Sequence, residues 1–349
     1  MAKIKVLIID DSAVIRKMLA DALSQSKNIE VVGSAIDPFI AANKIKSLNP
    51  DVLTLDVEMP RMDGITFLSK LMIAQPMPVV MVSSLTEEGA EQTIKALETG
   101  AVDFIAKPKV DSSEERDSFS DELIHKITIA SKSKIINRNK VKTKSQNKPK
   151  DIKKIADIKH KISKKIIAIG ASTGGTEVIS RIVTNLPETV PGIAIAQHMP
   201  EKFTYAFATR LNSISDLVVK EAENGDRLYH GVVLIAPGNR QMEIRRDVHG
   251  FFVEVNDKPA VNNHKPSVDV LMQSVAEHSD KNTTGIILTG MGNDGAKGLL
   301  DMKKAGAITI AQDKESSAIF GMPAEAVRVG GADYVKNIEQ IIDYIKNIT

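Results

Sequence analysis

The sequence predicts an α/β protein built from two units, each a parallel sheet with helices packed on its faces. Three observations carry that prediction. Short apolar runs alternate with amphipathic helical stretches along nearly the whole chain, which is the signature of βα repeats. The alternation is broken once, by a lysine-rich stretch with no aromatic residue. The 349 residues are enough for about two cores of ordinary size.

In the first unit, "IKVLII" (4–9), "VVGSA" (31–35), "DVLTL" (51–55), "PVVMV" (78–82) and "VDFIA" (102–106) read as strands. Helical patterns such as "SAVIRKMLADAL" separate them, with Ser12 placed to cap the first helix. The polar residues cluster where strands end: Asp10 and Asp11 after the first, Asp56 after the third, Ser83 after the fourth, Lys107 after the fifth. In open α/β sheets the ligand site lies at that edge. Three carboxylates in one cleft repel unless a cation joins them, and an all-oxygen donor set suits Mg²⁺.

The interruption falls at 126–165, which holds 15 of the 46 basic residues and only two of the 44 acidic ones. The remainder of the chain is therefore acidic, and the stretch reads as a solvated, self-repelling linker. Without aromatic residues it offers no stacking platform for nucleic acid, and no nucleic-acid role is expected. The expected boundaries are 1–125, a linker at 126–161, and a second unit at 162–349. Disulfides and thiolate chemistry are excluded because there is no cysteine. No apolar run reaches membrane-spanning length and no signal-peptide pattern opens the chain, so no membrane insertion and a cytoplasmic location are expected.

The second unit resumes the alternation with "KIIAIG", "PGIAIAQ" (191–197), "GVVLIAP" (231–237), "TGIILTG" (284–290) and "AITIAQ" (307–312). A hairpin is expected within 241–261, turning near Asp247 and Gly250, with a helix starting around Ser267. "IIAIGASTGGTE" (166–177) looks like a strand entering a tight turn and a helix. It lacks the lysine of a phosphate-binding P-loop and the middle glycine of a dinucleotide fingerprint. It does fit G-x-S-x-G through Gly170, Ser172 and Gly174, a turn that exposes a serine hydroxyl. A serine nucleophile needs a base. His198, directly after a strand, is the first candidate and His264, in "NNHKPS", the second. Asp294, in "GMGNDG", is the candidate orienting acid. The same glycine turn fits G-x-G-x-x-G, with Asp313 as a possible ribose ligand, so a dinucleotide-dependent oxidoreductase stays open beside a non-catalytic binding module.

The first unit resembles the receiver domain of two-component response regulators, a flavodoxin-like fold, through "IIDDS", "LDVEMPRMDG", "VMVSS" and "AKP". That resemblance implies Asp56 as phosphoacceptor, with Asp10, Asp11, Asp56 and the Glu58 carbonyl around Mg²⁺. It implies Ser83 and Lys107 as phosphoryl contacts and Phe104 at the aromatic switch position. The second unit resembles the catalytic domain of the CheB chemotaxis methylesterase family, a doubly wound parallel-sheet hydrolase, through "GASTGG", "QHMP", "HKPSVDVL" and "TGMGNDGAKG". By that resemblance Ser172 is the nucleophile, His198 the base, Asp294 its orienting carboxylate, and the Met291 backbone N–H an oxyanion donor. The implied activity is demethylation of glutamate 5-O-methyl esters and deamidation of glutamine on methylated chemoreceptors, with a chemotaxis histidine kinase as phosphodonor and no cofactor for the esterase step.

Overall fold

The computed structural model describes residues 2–107, 113–133, 163–278 and 282–348. The chain divides into two compact units, Met1–Val141 and Lys142–Thr349.

In the first unit the strands are β1 (Ile4–Ile9), β2 (Ile29–Ala35), β3 (Val52–Asp56), β4 (Val79–Ser83) and β5 (Asp103–Ala106). They form one parallel sheet in the order β2-β1-β3-β4-β5, so the chain reverses direction across the sheet between β1 and β3. β1 from Val6 onward, β3 and β4 are mostly Val, Ile, Leu and Met and are buried on both faces, as a sheet covered by helices on each side requires. The helices are α1 (Ala13–Ser24), α2 (Pro38–Leu48), α3 (Gly64–Ala74), α4 (Glu87–Thr99) and α5 (Ser113–Ala130). Ser12 caps α1 as expected, its side chain accepting from the Ile15 amide.

α5 corrects the expected boundary at 125. The helix continues to Ala130, and Phe119, Leu123, Ile127 and Ala130 form one buried stripe at helical spacing. Lys126, the first residue assigned to the linker, instead donates to Asp103 Oδ1 at 2.9 Å. Local positive charge hid the apolar period of the helix's last turn. The rest of the expected linker, 134–161, lies outside the described residues, as does Pro108 of "AKP".

The second unit has a seven-stranded parallel sheet in the order β14-β13-β12-β6-β7-β9-β8. Its strands are β6 (Ile166–Ala171), β7 (Gly192–Gln197), β8 (Val218–Glu221), β9 (Val232–Ile235), β12 (Thr283–Ile287), β13 (Ile308–Gln312) and β14 (Tyr334–Lys336). The expected hairpin is β10 (Gln241–Asp247) with β11 (Gly250–Asn256), paired Asp247 to Gly250 at its tip. β8 and β14 are additions to the predicted set; they are four and three residues long at the sheet's two edges, too short to show a period. Helices α6 (Gly175–Val183), α7 (Phe203–Ile214), α8 (Val268–Ala276), α9 (Ala296–Lys304), α10 (Met322–Arg328) and α11 (Ile338–Asn347) complete the unit. One core cluster joins β6, β7 and β9 to the hairpin and to α8, α9 and α10.

β6 is the pivot of this sheet. The chain first builds outward through β7, then returns to the other side of β6 with β12, which leaves a crevice at the carboxyl end of β6. Among the described residues, no helix is long and apolar enough to cross a membrane.

Candidate phosphoacceptor and hydrolase sites

Each unit presents its chemistry at the switch point of its sheet. In the first unit, register sets the geometry: Ile9 pairs with Leu55 and Asp56 with Val82, so Asp10 and Asp56 emerge side by side. Asp10, Asp11 and Asp56 each offer a carboxylate oxygen within 4.8 Å of the others. That set of hard oxygen donors fits Mg²⁺. The Lys107 ammonium lies 2.9 Å from Asp56 Oδ1 and 3.3 Å from Asp10 Oδ2. Burial is the main influence on Asp56; with Asp10 adding repulsion, it outweighs Lys107 and raises the carboxyl to about 6. Asp10 is raised too, again chiefly by burial. This pocket is short of positive charge, which is the electrostatic condition for taking up a cation.

The other residues singled out in this unit fall around the pocket. Lys107 is anchored by its amide, which donates to the Ser83 carbonyl at 2.7 Å. Ser83 is fully buried, and its hydroxyl donates to Gly89 O at 3.1 Å, at the start of α4. Phe104 is buried beneath α5, with Lys126 Nζ 5.5 Å from its ring centroid. Glu58 sits two residues beyond Asp56 in the β3–α3 loop with its side chain exposed.

In the second unit, β6 is flanked by both strands that carry its partners. Gly170 pairs with Ala196 of β7 on one side and Ile287 of β12 on the other, and Ala171 pairs with Gln197. Ser172 and His198 therefore leave the sheet at the same level. The ladder runs past the strand ends: Ser172 N donates to Thr289 O at 3.0 Å, and His198 N to Ala171 O at 3.1 Å. Gln197 then closes the pair, its amide nitrogen donating to Ser172 O at 2.9 Å and His198 O at 3.1 Å.

Glycine permits these approaches. A Cβ on Gly290 would stand 2.7 Å from Ser172 Cβ, and one on Gly175 would stand 2.3 Å from Gln197 Oε1. Gly174, with φ at 77°, turns the chain from Ser172 into α6. Met291 directly follows Gly290 in the β12–α9 loop.

His198 Nε2 lies 2.8 Å from Asp294 Oδ2. Burial alone would raise Asp294, but the bond and charge of His198 overcome it, aided by Asn262 and the Val268 amide, and hold the carboxyl at about 2. Oδ1 takes Asn262 Nδ2 and Ser267 Oγ, each at 2.8 Å, and Oδ2 takes Val268 N at 2.7 Å. An ionised Asp294 places the imidazole proton on Nε2. Nδ1 is then the basic nitrogen; it is buried and makes no hydrogen bond.

Ser172, His198 and Asp294 are thus gathered at one edge, although Ser172 and His198 meet through main chain and Gln197 rather than through a serine–imidazole hydrogen bond. His264, the alternative base, lies flat against His198 with ring centroids 3.6 Å apart and planes within 9°. Asp313 does not behave as a free ribose ligand: its Oδ1 accepts from the Ser316 amide and hydroxyl at 2.9 and 2.5 Å. Sequence reasoning missed Gln197, Asn262, Ser267 and Thr289. Gln197 carried a signal, as the one polar residue ending "GIAIAQ".

The two units define a class: a phosphoacceptor switch domain joined to an α/β hydrolase. The response regulator receiver model matches residues 6–115 and the CheB methylesterase model residues 167–345. The chain belongs to the CheB methylesterase family. A protein-glutamate methylesterase/protein-glutamine glutaminase of Geobacter metallireducens is 50% identical over 335 residues, 95% of this chain and 92% of that protein. One from Pectobacterium atrosepticum is 48% identical over 341 residues, 98% and 95% of the two chains. The crystal structure of the Thermotoga maritima CheB methylesterase catalytic domain superposes with a TM-score of 0.52 at 40% identity, covering 54% of this chain and all of that one.

Proposed function

We propose that this protein removes methyl groups from glutamate 5-O-methyl esters, and amide groups from glutamines, on methylated chemoreceptors, under control of phosphorylation at Asp56. The observation that carries the hydrolase reading is the Asp294–His198 pair beside the Ser172 turn, with three strand ends converging on it. The relatives' shared description as methylesterase and glutaminase supplies the substrate class.

In the reaction, His198 Nδ1 takes the proton of Ser172 Oγ as the hydroxyl attacks the ester carbonyl. The oxyanion is received by backbone amides of the turn, with Met291 N–H the proposed donor, a contribution of about 3 kcal/mol. His198 returns the proton to the departing methoxide, and methanol leaves. Water, activated by the same nitrogen, hydrolyses the acyl-serine to glutamate. From glutamine the leaving group is ammonia and the acyl intermediate is the same. Asp294, ionised at any physiological pH, stabilises the imidazolium that forms.

For the switch, Asp56 is the proposed phosphoacceptor, a histidine kinase the donor, and Asp10, Asp11, Asp56 and the Glu58 carbonyl the Mg²⁺ ligands. The ion supplies charge neutralisation during phosphoryl transfer. Lys107 holds a phosphoryl oxygen on Asp56, Ser83 is the second contact, and Phe104 responds at the switch position. The dinucleotide reading loses its ribose ligand in Asp313.

The test is methanol release from a methylated chemoreceptor fragment by the full chain, with Mg²⁺ and with or without acetyl phosphate. Turnover raised by acetyl phosphate and lost by Ser172→Ala, on the order of 10⁶-fold, is expected. No turnover by the parent, or undiminished turnover by the variant, overturns the reading.

A further inference from the structure

We propose that His264 is a positioning residue for the hydrolase reaction, delivered by a tight turn that grips both members of the His198–Asp294 pair. The proposal rests on the reading above and adds a residue to it.

The turn is closed on itself. Val261 N donates to His264 O at 3.1 Å and His264 N donates to Val261 O at 2.9 Å. Asn262 and Asn263 between them have φ of 52° and 64°. Two consecutive left-handed residues inside a reciprocal pair form a type I′ turn, and asparagine is among the few side chains that tolerate it. The turn is also held from behind, where the buried Gln241 amide donates to Pro259 O at 3.0 Å and His264 O at 3.3 Å.

From this frame two side chains reach forward to different targets. Asn262 Nδ2 meets Asp294 Oδ1 and Asp269 Oδ2, both at 2.8 Å. His264 lays its ring on that of His198 at 3.6 Å. The hydrogen bond from His198 Nε2 to Asp294 fixes one point of the imidazole but lets the ring rock about that point. A ring stacked within 9° of parallel removes this freedom on one face. It thereby holds Nδ1 in the plane from which it must take the serine proton. When His198 becomes imidazolium, its charge develops against an aromatic face, a favourable arrangement.

His198, with Asp294 on Nε2, is the ring equipped for proton transfer.

The experiment compares full-length parent, His264→Ala and His264→Phe, each with Mg²⁺ and acetyl phosphate, measuring kcat and KM for methanol release from methylated receptor. Phenylalanine keeps a flat ring and removes the nitrogens. The expected result is a fall in kcat of about tenfold for alanine with KM nearly unchanged, and recovery to within about threefold for phenylalanine. In parallel, the His198 Cε1–H proton resonance should show an upfield ring-current shift in parent and His264→Phe that disappears in His264→Ala. An alanine variant with undiminished kcat, a change in KM alone, or a phenylalanine variant as impaired as alanine each overturns the assignment. An inactive parent would instead overturn the function on which it rests, so the two failures are distinguishable.

Discussion

Asp56 ends β3 and Asp294 closes the loop between β12 and α9; they are 2% and 1% exposed and titrate in opposite directions. Burial pushes both upward. Asp56 meets that push with one ammonium, shared with a second carboxylate, and the Val57 amide, and ends at about 6. Asp294 meets it with an imidazole, an amide, a hydroxyl and two backbone N–H groups, and ends at about 2. The difference teaches that depth does not decide the state of a carboxylate; the supply of donors does. It also matches the two tasks proposed for them. A phosphoacceptor pocket has to want positive charge, while an orienting acid has to be charged already.

The largest expected break comes from removing the donor-rich carboxylate's charge. Asp294→Asn keeps the shape of the side chain but lets the imidazole adopt the wrong tautomer, and kcat for methanol release should fall by about 10⁴-fold. A smaller loss, under about tenfold, would mean that charge at this position is not what prepares His198.

Neutralising the donor-poor carboxylate should do the reverse to stability. With a folded value near 6 against an ordinary value of 3.8, ionised Asp56 costs the fold about 3 kcal/mol at pH 7. Asp56→Asn should therefore stabilise the first unit by up to that amount while abolishing the response to acetyl phosphate. Calorimetry of the parent and variant at pH 7 checks the first statement and methanol release the second.

The pH dependence of the two units should diverge for the same reason. Asp56 is raised, so its contribution is complete below about 4 and is lost as pH rises through 6. Asp294 is lowered, so its contribution is present above about 4 and is lost as pH falls through 2. Between pH 7 and 4.5 the first unit should gain stability from Asp56 while Asp294 leaves the second unchanged. Melting of the first unit that ignores pH over this range would contradict the raised Asp56.

A smaller effect is expected from Ser267→Ala. It removes one donor from Asp294 and the N-cap of α8, with a loss of about 1–2 kcal/mol. Turnover should persist, since Val268, Asp269 and Asn262 still hold the carboxylate.

Much of this comparison was legible in the sequence, because strand ends mark themselves. An apolar run that stops at Asp10, Asp56, Ser172 or His198 gives both the element and the edge, and parallel pairing does the rest. The donors around Asp294 were not legible. Asn262, Ser267 and the Val268 amide come from a loop and helix start 26 to 32 residues away, brought in by packing that no local period announces. His264 was visible as a residue of interest, but sequence could not distinguish a ring that takes a proton from one that steadies its neighbour. The end of α5 was hidden for another reason, since Lys126 and the lysines after it outweighed three buried apolar residues, Ile127, Ile129 and Ala130, in the pattern. β8 and β14 lie at sheet edges, where a few residues suffice for pairing.

Gly290 and Met291 stand next to each other yet place opposite demands on heredity. At Gly290 even a methyl group would collide with Ser172, 2.7 Å away, so every missense codon there is expected to be silenced by selection. As the proposed oxyanion donor Met291 would offer only its main-chain amide, and its side chain is 39% exposed, so most residue types other than proline should serve. In a library covering all single substitutions, the nucleophile's surroundings would be recorded as a barren position beside a permissive one, and the permissive position would tolerate everything except the loss of its N–H.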